Sequence, residues 1–283
     1  DQQAYDIRCE WGAAGVAVLA PISDAVVIVD VLSFSTSVEV AASRGAVVYP
    51  FRWKDERAAR FADEHGALLA GASRHTPGAY TLSPTSLLRI PAGTRLVLPS
   101  PNGATLSLLT GATPTVAGCL RNAAAVARAL GQTCRQVAVI PVGERWPDGS
   151  LRPGIEDLLG AGAIIHHLPG TRSPEAAAAE ATFLHFKDGV DSLVRACSSG
   201  RELIERGFAD DVDLAAALDV SACVPTLVDG AYSACPRPVQ TRRSPCDVPA
   251  GRNRAVMYQA EALMFSDFLG YNSARGVPPL RGI

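Results

Sequence analysis

Lysine is nearly missing from this chain. Only Lys54 and Lys187 occur in 283 residues, and the other basic side chains are arginines scattered along the sequence. With 26 basic against 28 acidic side chains and a net charge of −2, there is no basic stripe, so nucleic acid is not an expected partner. No apolar run is long enough to span a bilayer and no signal-peptide pattern is visible, so a cytoplasmic protein with no membrane partner is expected. The seven cysteines are odd in number and include no Cys-x-x-Cys pair, which argues against a disulfide framework and a structural zinc site. The five histidines have no metal-ligand spacing.

Apolar residues make up 48% of the chain, enough for a large core. Short apolar runs alternate with Ala-rich helical segments. Val16–Ala20, Val26–Asp30, Ala46–Phe51, Ala67–Ala70, Leu96–Pro99, Thr115–Gly118 and Val137–Val142 predict strands. Lys54–His65, Gly103–Leu109, Ala123–Leu130 and Ile155–His166 predict helices. The alternation implies an α/β fold, with a largely parallel or mixed sheet covered on both faces as a three-layer α/β/α arrangement. Pro174–Ala196, Gly200–Glu205 and Asp211–Leu218 then predict a run of helices. After Asp229 the chain turns rich in Pro and Arg, which predicts an α/β domain over 1–229 and an extension over 230–283 with one helix, Ala255–Leu269.

The segment Ala25–Ser37 carries the strongest chemical signal. A run of Val and Ile ends in Asp30, at the carboxyl end of a buried strand, where open α/β sheets place their ligands. Thr36-Ser37-Val38-Glu39 has capping-box spacing, which predicts a helix starting there and stopping at Gly45. Free N–H groups for an anion beside a hard carboxylate oxygen suit a phosphate ester with a magnesium ion. The competing reading is an Asp that caps a turn.

Three further segments repeat the theme. Glu156 and Asp157 open a helix after the strand at Val137–Val142; they either complement the helix dipole or meet Asp30 around a metal. Asn102-Gly103 forms a turn after another strand, as a helix cap or as a phosphate grip. Asn122 caps the following helix. Cys246 and Arg252 have the spacing of a cysteine-phosphatase loop, but no strand precedes them and no glycine cradle lies between, so an activated thiolate has little support. Residue 32 is Leu, so Asp30 does not begin an Asp-x-Asp phosphatase motif.

Taken in order, these segments resemble the 2-phosphosulfolactate phosphatase family. The resemblance runs from Cys9 to Asp229 through Val29-Asp30-Val31-Leu32, Ser35-Thr36, Ser83-Pro84, Asn102-Gly103, Asn122-Ala123, Glu156-Asp157, Ser199–Leu203, Gly207-Phe208 and Asp211-Val212. It implies magnesium-dependent hydrolysis of a phosphate ester on a small acidic organic molecule. Asp30 would be a metal ligand, with Glu156 or Asp157 as the second. Ser35, Thr36, Asn102 and Gly103 would bind phosphate or substrate, as would Asn122 and Arg74. Two departures stand out: Ser33 occupies a position where the family usually carries Arg, and Gly71–His75 replaces a Gly-Glu-Arg segment. Serine cannot supply the charge of a guanidinium.

Two alternatives remain open at this stage. One is a phosphatase of a different small phosphate, such as a sugar, nucleoside or phosphohydroxy acid. The other is a phosphate-binding protein that has lost turnover. A homo-oligomer is compatible with the resemblance and with the apolar tail helix.

Overall fold

The computed structural model describes residues 2–76 and 78–234. The helix expected over Ala255–Leu269, the Cys246–Arg252 segment and nearly all of the extension therefore lie outside the described residues. In chain order the elements begin with β1 (Ile7–Cys9), α1 (Gly12–Leu19), β2 (Ala25–Val29), α2 (Phe34–Ser43), β3 (Val47–Phe51), α3 (Glu56–Glu64) and β4 (Leu68–Leu69). Next come β5 (Arg95–Pro99), α4 (Gly103–Leu109), β6 (Thr115–Gly118), α5 (Ala123–Gly131), β7 (Val137–Pro141), β8 (Glu144–Arg145) and β9 (Leu151–Arg152). The last are α6 (Ile155–His167), α7 (Pro174–Phe186), α8 (Val190–Ala196), α9 (Ser198–Glu205), α10 (Ala209–Ala216), β10 (Pro225–Val228) and β11 (Ala231–Ala234).

Among the described residues, nine strands form one sheet in the order β1-β7-β2-β6-β10-β11-β3-β5-β4. β1, β7, β2 and β6 are mutually parallel, and so are β3, β5 and β4. The hairpin β10–β11 joins these two blocks through antiparallel pairs on both sides and within itself. Three antiparallel steps make the blocks run in opposite senses. β11 lies beyond residue 229, where the change in composition had placed the end of the domain.

The layers follow from which residues alternate along the strands. Val27 and Val29 of β2 pack with Val137 and Val139 of β7 into a core closed by α5, α6 and α7. The intervening Val26, Ile28, Ala138 and Ile140 face the other way, against α1 and α4. In the second block, Val48, Leu96 and Leu98 pack beneath α2, whereas Tyr49 and Val97 face α3. Both sheet faces are thus buried, which is why the strands are continuous hydrophobic runs. Where α6 meets α7, a Cβ on Gly162 would come within 2.1 Å of the Ala179 carbonyl oxygen, so only glycine permits that approach.

Two helical expectations need correction and one strand was misread. Val16–Ala20 is not a strand: it belongs to α1 and the tight turn after it, with Val16 and Leu19 inward and Val18 54% exposed. A short apolar run does not by itself distinguish a buried strand from a helix. Pro174–Ala196 is two helices, separated by a turn at Lys187–Gly189. α2 begins at Phe34 rather than at Thr36, so Glu39 sits inside the helix, fully buried, and pairs with Arg121 at 2.6 Å. Gly45 does end it, with φ of 83°. Among the described residues, no helix is long and apolar enough to cross a membrane.

Candidate active site

β2 ends where a carboxylate follows five buried apolar residues, because Asp30 needs hydrogen-bond partners to stay in that surrounding. It finds them at two helix starts. Oδ1 accepts the Phe34 N–H at 3.0 Å and Oδ2 accepts the Gly103 N–H at 3.2 Å. One side chain therefore serves the open ends of α2 and α4, where unpaired N–H groups favour negative charge. Asp30 also lines a cavity of about 490 Å³. Asp30 therefore caps the turn into α2 and also faces a pocket.

The second carboxylate on the cavity is Glu144, at the carboxyl end of β7 just past Gly143. Its Oε2 accepts from Asn102 Nδ2 at 2.8 Å. Asn102 lies on the cavity wall, and its amide holds Glu144 and makes no cap on α4. Burial raises the Glu144 pKa to about 7, helped by the charges of Asp30 and Glu156. Burial likewise raises Asp30 to about 6, against the pull of its two N–H donors and of Arg74.

Asp157 and Glu156 do not reach this wall. Asp157 Oδ1 accepts the Val31 N–H and Oδ2 the Gly143 N–H, each at 2.7 Å, so the side chain ties the loop after β2 to the loop after β7. Burial, then Asp30 and Glu156, push its pKa well above the ordinary range. Glu156 is 3% exposed in the same first turn of α6. Neither is among the residues that line the cavity, and Asp157 positions the two loops that carry Asp30 and Glu144.

Ser35 and Thr36 are also turned inward. Ser35 Oγ donates to the Ile28 carbonyl at 2.8 Å and accepts the Asp30 N–H at 3.1 Å. Thr36 Oγ1 donates to the Val31 carbonyl at 2.8 Å. Both are fully buried and neither lines the cavity, because the earlier start of α2 rotates them onto β2. The Gly103 N–H is already committed to Asp30. Asn122 is fully buried away from the cavity; it accepts from the Cys119 N–H and donates to the Ala117 and Cys223 carbonyls, a structural role.

Arg74 does line the cavity. Its Nη1 donates to Asp211 Oδ2 and its Nη2 to Ser33 Oγ, both at 2.9 Å. Asp211, 1% exposed at the start of α10, is itself held by the hydroxyls of Ser83 and Thr85 at 2.6 Å and by the Thr85 N–H at 3.1 Å. A guanidinium thus reaches position 33 although residue 33 is serine. The sequence reading overlooked Glu144, Lys54, Arg152, Glu202 and Arg206, which line the same cavity. For Glu144 the signal was present: an acid at the end of a buried strand, as for Asp30. The others sit on loops and helix ends far apart in sequence.

The family model for 2-phosphosulpholactate phosphatase matches residues 17–230. The chain is 32% identical to the 2-phosphosulfolactate phosphatase of Methanothermobacter thermautotrophicus, over 72% of this chain and 87% of that protein. It is 30% identical to the probable 2-phosphosulfolactate phosphatase of Thermosynechococcus vestitus, over 71% and 88% respectively. The corresponding protein of Carboxydothermus hydrogenoformans is 31% identical, over 71% of this chain and 85% of its own. The matched span takes in Asp30, Arg74, Asn102, Glu144 and Asp211, and with them every contact that shapes the cavity. This chain belongs to the 2-phosphosulpholactate phosphatase family.

Proposed function

We propose that this chain is a magnesium-dependent phosphatase of a small acidic phosphomonoester, hydrolysing 2-phosphosulfolactate to sulfolactate and phosphate. The observation that carries the reading is the joint presence of Asp30, Glu144 and Arg74 on one cavity. The names of the relatives support the substrate.

The donor set fits magnesium. Among the described residues, no group of three or more His, Cys, Asp or Glu forms a complete ligand cage. Magnesium does not need one: it keeps several waters, takes one or two carboxylates and completes its shell with substrate phosphate. Asp30 and Glu144 would hold it. Once bound, the ion would offset the charge that builds on the phosphoryl oxygens. Arg74, fixed by Asp211 and Ser33, offers its remaining N–H groups to phosphate oxygens, and a guanidinium is suited to such two-pronged contacts. Asp157 keeps the two carboxylate-bearing loops in place, so that little reorganisation accompanies the reaction.

The test is phosphate release from a panel of small phosphomonoesters, with magnesium and with chelator, for wild type and Asp30→Asn. Release that requires magnesium, is fastest with 2-phosphosulfolactate and is lost in Asp30→Asn is the expected result. A faster ester of another class would move the substrate. No release from any ester by folded, magnesium-supplied protein would overturn the proposal in favour of a phosphate-binding protein.

A further inference from the structure

The charges around the cavity do not balance locally. Arg74 is paired with Asp211, and Arg152 with Glu202 at 2.9 Å. Asp30 and Glu144 are the carboxylates available to a cation. Of the remaining lining cations, Arg145 donates to the Gly149 carbonyl at 3.2 Å, which leaves Lys54 on the loop between β3 and α3 and Arg206 at the end of α9. Among the described residues, neither has a carboxylate within ion-pair distance. They line the same cavity as Arg74, and Lys54 lies within electrostatic reach of Arg74, Arg206 and, with opposite sign, Glu144. Burial, then the Arg74 and Arg206 guanidinium groups, lowers the Lys54 pKa. Arg206 in turn lies over the Phe208 ring, as does Arg74 on the same ring, which fixes the two guanidinium groups near one another.

Like charges gathered in a partly dry cavity repel, and they are retained at a cost unless an anion joins them. Phosphate held by the Asp30–Glu144–Arg74 side accounts for Arg74 alone. We propose that Lys54 and Arg206 form a second anion subsite, which binds a carboxylate or sulfonate of the substrate while its phosphate lies beside Asp30, Glu144 and Arg74. This inference rests on the phosphatase reading for the position of the phosphate, and it assigns specificity to two residues of which one is among the chain's two lysines. The subsite selects against neutral esters by charge: without an acidic group on the substrate, the Lys54 and Arg206 heads stay unneutralised on binding.

The experiment compares wild type with the double variant Lys54→Ala/Arg206→Ala on three esters: phospholactate, 2-phosphosulfolactate and the neutral-tailed isopropyl phosphate. It also includes calorimetric titration of unphosphorylated sulfolactate and lactate without magnesium. Wild type should prefer the acidic esters. The double variant should lose about tenfold or more of that preference, seen as a raised KM for acidic esters, and should bind the free acids more weakly. Comparing the two acids tells whether sulfonate or carboxylate is the group that is held. An unchanged preference ratio together with unchanged acid binding would overturn the subsite and leave the phosphatase reading standing. If wild type releases phosphate from none of the esters, the phosphatase reading falls, and the acid titration still decides whether Lys54 and Arg206 bind an anion.

Discussion

The Gly103 N–H donates to Asp30 Oδ2 at 3.2 Å, and a Cβ on residue 103 would lie 2.6 Å from that same oxygen and 2.4 Å from the Phe34 ring. The carboxylate at the end of β2 and the first residue of α4 therefore fit together only if residue 103 has no side chain. Gly103→Ala should displace Asp30 and cut kcat/KM by about a hundredfold, the scale expected for a displacement of about 1 Å in a positioned group. Steady-state kinetics measure it, and the thermal midpoint shows whether the fold survives.

Asp157 and Asp30 should separate in their effects. Asp157→Ala leaves the buried Val31 and Gly143 N–H groups without acceptors, at about 1–3 kcal/mol each, so it should lower stability strongly in denaturant titration. Asp30→Asn keeps an acceptor for one of the Phe34 and Gly103 N–H groups, sets an amide NH2 against the other, and removes a carboxylate that burial disfavours. It should therefore lose activity at a smaller cost in stability than Asp157→Ala. The reverse ordering would place the metal at Asp157.

The free protein should become less stable as pH rises. Asp30 and Glu144 have folded pKa values near 6 and 7, above their ordinary values of 3.8 and 4.5. The native state then binds more protons than the unfolded chain between about pH 4 and 7, so unfolding free energy falls with pH across that window. The stability these groups lend is full below their unfolded pKa values and is lost as pH passes 6 to 7. A cation that prefers both groups ionised acts in the opposite sense. Magnesium should raise the melting temperature little at pH 5 and clearly at pH 8, as scanning calorimetry would show.

Arg74→Ala removes the ion-pair partner of Asp211, which is 1% exposed, and leaves it with the donors of Ser83 and Thr85. A loss of about 1–3 kcal/mol is expected, together with loss of activity. Arg74→Lys keeps the charge but cannot reach Asp211 and Ser33 at once with a planar fork, so activity should recover less than stability. Chemical denaturation and phosphate release, measured on the same samples, distinguish the two effects.

Where a signal is local, the sequence was enough to place it. Thr115–Gly118 and Gly103–Leu109 occur with the predicted bounds, because a buried run flanked by turn residues or a Pro-Asn-Gly punctuation has few other uses. Asp30 was legible because a charge seldom closes an apolar run without purpose. Ser35 and Thr36 were not, since a start of α2 only a few residues away decides whether a hydroxyl faces cavity or strand. Glu156 and Asp157 gave way to Glu144 for a similar reason: all three follow β7, and only the path of the loop through Gly143 determines which one emerges at the wall. Lys54, Arg74 and Arg206 converge through tertiary structure alone, so no spacing along the chain announces them.

The hairpin of Pro225–Val228 and Ala231–Ala234 has a consequence for how the molecule is made. Among the described residues it is the last part of the sheet in chain order, yet it sits in the middle, between β6 and β3. Until those residues emerge, each block exposes an open edge, and the two have no strand to join them. Such edges are templates for pairing with other chains. A nascent or truncated chain ending before Pro225 is therefore the form most prone to aggregate, and insertion of the hairpin, a long-range step by its nature, closes the sheet only after Ala234 has been made.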